Sequence, residues 1–372
     1  MDKKIGLMGG GVVADYGHIP AIKYIPGLEM RALFDPDTAR LADMVRRHEI
    51  PEAFSDQDAF LDSGLDAVGI TSPAPVHKAN VLAAAERGLP VLCEKPLAMD
   101  EEEGREMIAA MASAKRRDGS GTGVPLYVGF CYRFSKSALE IKRLVDEGAI
   151  GQVRTLRLIY NWDCHGKWYR PDPEGRPDHW AVDPRRAGRM AEGGPMVDCG
   201  THQIDLARWW LGSEVERYTA AASWVDEYEA PDHMWVHMDH ACGAHTMVEM
   251  SYSYGHTTRD KFSDFRYELI GTDGMIHYHR EGSRFQLRTD QETRHLEYHH
   301  EKNFAEMYRD FGRLLETGDP GNLTTAEDAL RVTEIARTAT EQAIAERIGP
   351  KAATTPPSTR MAPNLEPGPA LD

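Results

Sequence analysis

Ile5-Gly6-Leu7-Met8-Gly9-Gly10-Gly11-Val12-Val13-Ala14 is the stretch on which the reading of the fold turns. An apolar run of strand character meets three glycines, and a helical pattern opens behind them, giving G-x-G-x-x-G/A with Ala14 in the last place. Gly9 permits a tight turn, Gly11 lets the main chain approach a pyrophosphate, and Ala14 lets the helix lie close to the strand, with the phosphates at the helix N-terminus. Val12 and Val13 fall inside this loop and count among the expected cofactor contacts. A plain glycine-rich turn is the alternative, and the surroundings weigh against it, since a second strand, Met30 to Phe34, follows the helix and ends in Asp35. A carboxylate there accepts hydrogen bonds from ribose hydroxyls and repels a 2′-phosphate, so NAD is expected over NADP, although Arg40 stands close by. Asp35 can also be read as a turn residue closing a strand.

The alternation continues outward, with strands at Ala67 to Thr71, Pro90 to Cys93 and Leu126 to Phe130, and helices around Lys78 to Arg87 and Glu101 to Lys115. Strands alternating with helices predict a parallel, doubly wound sheet. After about residue 150 strand-like segments follow with few helices between them: Arg154 to Tyr160, Trp235 to Met238, His245 to Tyr252, Arg266 to Ile270, Met275 to His279 and Phe285 to Arg288. These fit an open, mainly antiparallel sheet, closed by a helical pair at Phe304 to Leu315 and Ala326 to Ala343. The fold class is therefore α/β, with a parallel-sheet unit over 1–130, an α+β unit over 131–345, and a Pro, Ala and Thr rich tail at 346–372 expected to be disordered.

Composition narrows the function. A chain of 372 residues is large enough for two units with a cleft between them. Its 43 basic and 59 acidic residues give a net charge of −16, a field that repels nucleic acid and anionic membrane surfaces. No apolar run is long enough to span a bilayer, and Met1-Asp2-Lys3-Lys4 leads into a strand without a signal-like segment, so a cytoplasmic setting is expected. The five cysteines, Cys93, Cys131, Cys164, Cys199 and Cys242, are scattered and read as reduced thiols.

Two clusters carry chemistry. Val91-Leu92-Cys93-Glu94-Lys95-Pro96 places a lysine at the carboxyl edge of the sheet, and Pro96 restricts its backbone. An ammonium held there can stabilise charge on a reacting oxygen, while Glu94-Lys95 can equally be a solvated pair. The second cluster runs from Glu192-Gly193-Gly194 to Asp198, His202 and Asp205, which share a helix face at i, i+4 and i+7. An imidazole beside carboxylates can accept a proton near neutral pH, the carboxylates favouring its charged form. A helix start whose His and Asp satisfy one another is the alternative.

Taken together, the Gly9 to Ala14 turn, Asp35, Ser72-Pro73 with His77, Glu94-Lys95-Pro96, Gly129-Phe130 with Arg133-Phe134, Gly193-Gly194 with Asp198 and His202, and Ile270-Gly271-Thr272 resemble the glucose-fructose oxidoreductase/inositol dehydrogenase/MocA family over about residues 3 to 345. The resemblance implies a Rossmann domain followed by an open-sheet domain that often mediates homodimers or homotetramers. It also implies NAD-dependent hydride transfer at a hydroxyl of a sugar, polyol or related cyclic compound. Lys95 and His202 would act at the substrate oxygen and Asp198 would bind and orient the substrate. Ser72, Pro73, His77, Glu94 and Arg133 would line the nicotinamide half of the cofactor site. An enzyme that retains NAD for redox-assisted glycosidic cleavage or elimination would use the same residues, and a non-catalytic NAD sensor would need neither Lys95 nor His202.

Between Asn161 and Glu192 lies a stretch rich in aromatic and polar residues, including Trp162, Trp168, Trp180 and Arg189. Aromatic faces beside polar groups suit sugar rings, so Trp162 and Trp168, with Tyr132, are expected near the substrate, although an ordered surface loop or subunit contact would look the same. The pairs His237/His240, His277/His279 and His299/His300 lack the spacings of a structural zinc site, and no metal is expected.

Overall fold

The strands of the first sheet are short, from two to seven residues. The computed structural model describes residues 2–117, 119–164, 184–226, 228–256, 258, 260–299 and 302–347. The tail from 348 onward, with the disorder expected of it, lies outside the described residues. β1 (Lys3–Met8), β2 (Leu28–Phe34), β3 (Glu52–Phe54), β4 (Ala67–Ile70), β5 (Val91–Cys93) and β6 (Leu126–Val128) pair in parallel in the order β3-β2-β1-β4-β5-β6. β4 and β5 are buried throughout, as parallel strands covered on both faces must be. The order reverses between β1 and β4, the position where ligands bind such sheets at the carboxyl ends of the strands.

The connecting helices are α1 (Ile19–Tyr24), α2 (Thr38–His48), α3 (Gln57–Leu61), α4 (His77–Glu86) and α5 (Glu101–Ser113). α2, β3 and α3 fill a gap that the sequence pattern left blank. The polar face of α2 hides its apolar stripe, of which Leu41 and Met44 are buried, but Asp37 caps it by accepting from Ala39 N and Arg40 N at 3.1 and 3.0 Å. Behind the glycines the first turn, Ala14–His18, is wound as a π-helix before α1 begins.

The second sheet is built from β7 (Val153–Asn161), β8 (Val215–Ser223), β9 (His233–His240), β10 (His245–Ser251), β11 (Asp264–Gly271), β12 (Gly274–His279), β13 (Arg284–Thr289) and β14 (Thr293–His295). Its order is β14-β13-β12-β11-β7-β10-β9-β8, antiparallel except for β7 with β10. Along β9 and β10 alternate residues are buried, so one face joins the core and the other carries His233, Trp235, His237, Met247 and Glu249. Three helices accompany this sheet in the chain: α6 (Lys136–Asp146), α7 (Pro184–Ala191) and α8 (Thr201–Leu211).

The chain then returns to its beginning, and here the expected cut at 131–345 needs correction. α9 (Phe304–Thr317) lays Phe304, Met307, Tyr308, Phe311 and Leu314 into one buried cluster with Ile5, Leu7, Ile19 and Ile22. β15 (Thr324–Thr325) adds to the free edge of β6 as an antiparallel strand, with Thr324 opposite Val128. Residues 304–325 thus complete the first unit, because the apolar flank of β1 and α1 needs a cover that the first 130 residues do not supply. α10 (Ala326–Ala345) packs against both α5 and α8, and its side chains join a core that runs from Val68 and Val91 to Leu156 and Val248.

Phe311 is fully buried in this shared cluster. Replacing it with alanine is expected to cost about 3–5 kcal/mol of unfolding free energy, read as a lower urea midpoint. An unchanged midpoint would show that α9 is not part of the first unit's core.

Candidate active site

The loops that leave β1, β4 and β5 meet the helix that follows the second glycine pair. Gly9 has φ +111°, and a Cβ there would lie 2.7 Å from Ser72 N, so only glycine fits. Gly10 N donates to Asp35 Oδ2 at 2.8 Å. A Cβ on Gly11 would meet nothing within 4 Å, which leaves the main chain at Gly11 and the exposed Val12 open to a ligand, with Val13 half-buried behind them. Asp35 itself is buried, its Oδ1 accepting from Asp37 N at 2.9 Å. Arg40 lies 3.3 Å from Asp35 Oδ2 and 3.1 Å from Asp37 Oδ2, so its guanidinium is shared between two carboxylates. An open glycine main chain and a braced acid at the end of β2 fit a dinucleotide of the NAD type.

Ser72 and Pro73 stand at the rim, half-buried and exposed respectively. His77 is buried between the β4 and β5 loops, with Nε2 2.8 Å from Ser72 O and Nδ1 3.0 Å from Pro96 O, so its neutral ring can donate its one N–H to one of the two carbonyls. Burial pushes this imidazole below the usual histidine range, against the pull of the Ser72 carbonyl. Glu94 is also buried. Its Oε1 is 2.9 Å from His18 Nε2, and His18 Nδ1 is 2.8 Å from the Tyr308 hydroxyl of α9. Burial would raise this carboxyl, but the bond to His18 and the nearby ammonium groups hold it low.

Lys95 crosses to the second cluster. Its Nζ donates to Asp198 Oδ1 at 2.6 Å and to Asp198 O at 2.7 Å, a contact between residues 103 apart in the chain. An ammonium has three N–H groups, so one remains for a ligand oxygen. Asp198 sits in a π-helical turn, Met196–Gly200, ahead of α8, and its Oδ2 accepts from the Tyr252 hydroxyl and lies 3.2 Å from Arg189 Nε. Burial would raise Asp198, but Lys95 and Arg189 outweigh it and keep the carboxylate ionised well below its usual range. In the same way Asp198 overcomes burial to keep Lys95 protonated.

His202 lies on α8, one turn beyond Asp198, and is 2 % exposed. Its Nδ1 is buried without a partner, and among the described residues neither ring nitrogen makes a hydrogen bond. The expectation that carboxylates hold this imidazole charged is overturned. Burial, then Lys95, then Lys302 lower it far below the ordinary histidine value, with Asp198 opposing, because Asp198 is already neutralised by its own cations. Asp205, grouped with His202 by spacing, instead forms a buried two-bond pair with Arg133 at 2.7 and 2.6 Å. Arg133 also stacks over Trp209, 5.5 Å from the ring centre. Arg133, expected at the nicotinamide, thus fastens the turn after β6 to α8.

The aromatic wall is made by Tyr132, Tyr160, Trp162 and Tyr252. Tyr132 meets the His202 ring edge-on at 4.8 Å, Tyr160 stacks on Trp162 at 6.3 Å, and Trp162 meets Tyr252 edge-on at 5.5 Å. Trp162 Nε1 is buried without a partner. Trp168 and Trp180 lie outside the described residues. Sequence reasoning missed Tyr252, His18 and Lys302 as site residues and did not foresee the pairing of Arg189 with Asp198. Tyr252 ends a recognised strand and Arg189 belongs to the aromatic and polar stretch, whereas nothing local marks His18 or Lys302. A group of Asp264, His279 and Glu281 has ligand atoms close enough for a metal ion, but Arg266 lies 2.5 Å from Asp264 and Arg280 2.8 Å from Glu281.

Residues 3–121 match the oxidoreductase family model with the NAD-binding Rossmann fold, and residues 138–277 match the GFO/IDH/MocA C-terminal domain. The scyllo-inositol 2-dehydrogenase (NAD(+)) of Bacillus subtilis is 29% identical over 327 residues, covering 82% of this chain and 86% of that protein. Inositol 2-dehydrogenase 2 of Saccharopolyspora erythraea is 30% identical over 286 residues, covering 75% of this chain and 74% of that one. Among solved structures, an oxidoreductase from Agrobacterium radiobacter in complex with NAD+, L-tartaric acid and magnesium superposes with a TM-score of 0.77 at 22% identity, over 93% of this chain and 98% of that one. A first unit and a second unit that each match the corresponding family model, and a relative at 30% identity spanning three quarters of the sequence, place the chain in the GFO/IDH/MocA oxidoreductase family.

Proposed function

We propose that this protein is an NAD-dependent dehydrogenase that oxidises a hydroxyl-bearing carbon of a sugar or polyol. The observation that carries this reading is His202, whose buried Nδ1 has no partner among the described residues, standing one turn beyond the Asp198 that holds the Lys95 ammonium. The names of the inositol dehydrogenase relatives support the substrate class. Gly9, Gly11, the main chain of Val12 and Asp35 would hold NAD, which when bound supplies the electron acceptor.

The residues of the chain do the rest. His202 accepts the hydroxyl proton on a ring nitrogen, for which its lowered proton affinity keeps it ready at neutral pH. Lys95 donates its remaining N–H to the same oxygen and stabilises the negative charge that grows there. Asp198 aims Lys95 and keeps it charged, while Arg189 and Tyr252 keep Asp198 ionised. Trp162, with Tyr132 and Tyr160, offers apolar faces for a ring and one free N–H for a ring hydroxyl. Glu94 and His77 hold the loops rather than the reactants. The same reading takes the protein as a cytoplasmic homodimer or homotetramer. Among the described residues no helix is long and apolar enough to cross a membrane, and the outer face of the second sheet leaves Trp235, Met247, Ile270 and Met275 incompletely covered. Light scattering of the purified protein is expected to give a mass of two or four chains.

Lys95→Ala and His202→Ala are each expected to lower kcat by about 10²–10⁴-fold while NAD still binds, checked by the absorbance of NADH and by titration with NAD. Retained turnover in either variant refutes the role given to that residue. Stoichiometric NADH from a sugar or polyol supports the dehydrogenase, and turnover of a glycoside without net NADH replaces it with redox-assisted cleavage.

Because His202 is lowered in the folded protein, it is neutral above its ordinary value near 6.5 and stays neutral for some distance below it. The acid limb of kcat/KM for oxidation is therefore expected to fall below pH 6.5, and a limb at or above that value would contradict the neutral base. The same sign applies to stability. This histidine contributes nothing unfavourable above its unfolded value, and the folded state loses stability as pH drops from there towards the lowered folded value.

A further inference from the structure

Lys302, two residues before α9, is the cation that the reaction above leaves without a task. Its ammonium stands 5.3 Å from the centre of the Tyr132 ring, the same ring that meets His202. Its field depresses the proton affinity of His202 and of Glu94, which sets it in the same site. Among the described residues it has neither a hydrogen-bond acceptor nor an ion-pair partner. The neighbouring carboxylates are committed elsewhere: Glu94 to His18, Asp198 to Lys95 and Arg189, Asp205 to Arg133, and Glu281 to Arg280. Arg280, itself paired with Glu281, lies 5.7 Å from the Tyr160 ring centre and 4.6 Å from that of Phe265. In a chain of net charge −16, the Lys302 ammonium thus stands beside the aromatic wall with no carboxylate partner among the described residues.

A half-buried ammonium beside aromatic rings, with no counter-charge among the described residues, is stabilised by a ligand that brings one. The hydroxyls of a neutral polyol offer only dipoles, whereas a carboxylate offers a full charge and a charge-assisted hydrogen bond. We propose that Lys302 anchors a substrate carboxylate, so that the preferred substrate is a hydroxy acid of the sugar series, an aldonate or uronate, and not a neutral sugar. This rests on the dehydrogenase reading and adds to it the group recognised away from the reacting carbon. Lys95 takes the oxygen that reacts, and Lys302 takes the oxygens that do not.

The test compares paired substrates, gluconate and galacturonate against the corresponding neutral alditol and aldose, in the full-length enzyme with NAD and in its Lys302→Met and Lys302→Arg variants. The wild type is expected to favour the acids in kcat/KM. Lys302→Met is expected to collapse the acid-to-neutral ratio by at least about ten-fold through KM, the size of one lost charged hydrogen bond. Lys302→Arg is expected to keep most of the ratio, which separates charge recognition from a loss of fold. NAD affinity, followed by tryptophan quenching, is expected to stay within about two-fold in both variants, well short of that effect. Equal use of acids and neutral sugars by the wild type, or a ratio unmoved in Lys302→Met, overturns the proposal and leaves the dehydrogenase reading standing. Weakened NAD binding with an unmoved ratio also overturns it and assigns Lys302 to the cofactor. Absence of NADH from both classes, with no binding by calorimetry, removes the dehydrogenase reading and this one together.

Discussion

The ion pair between Lys95 and Asp198 is the contact on which the site depends. It joins a loop of the first sheet to a turn of the second unit, two places with no local reason to meet. Partly buried pairs of this kind add little stability when compared with an apolar replacement, yet loss of one partner strands the other. Here Asp198 is shared among Lys95, Arg189 and Tyr252, so either cation can leave for a ligand without exposing a bare carboxylate. Lys95 stays charged because of Asp198, and His202 stays neutral partly because Lys95 is charged. One interaction thus sets the protonation states of acid and base together, as environments that push titratable groups apart do in many sites.

Around that pair stands a frame of buried groups that brace one another. His77 packs between two loops and donates to a carbonyl oxygen of one of them, Glu94 reaches through His18 to Tyr308 on α9, and Arg133 locks the turn after β6 to α8 through Asp205. Each replaces a flexible loop by a hydrogen-bonded brace, which is how a site on loops attains the positional accuracy that chemistry needs.

The motifs that were legible are those whose physics is local. The Gly9 to Ala14 turn, the acid ending β2 and the lysine before Pro96 are demands of backbone geometry and short-range charge, and strand and helix periods carried the alternation of the first unit. α2 went unread because nine of its eleven side chains are not buried, and β3 and β14 because three residues are too few to show a period. β15 was beyond reach for a different reason, since two threonines become a strand only against the edge of β6. The protonation of His202 was misread because the nearest carboxylate in sequence was counted as free. Its occupant, Lys95, lies in another unit, and Lys302 comes from a third segment. Arg133 and Glu94 had the right address but face partners that no spacing rule connects to them.

The return of the last quarter of the chain to the first sheet bears on how this protein is made. A ribosome releases β1 to β6 long before α9 and β15, so the nascent nucleotide-binding half emerges with a bare strand edge on β6 and an oily flank over Ile5, Leu7 and Ile22. Such surfaces invite chaperones and mispairing until translation is almost finished. The first unit therefore gains its last strand and the cover of its apolar flank only when the final fifth of the chain has been made.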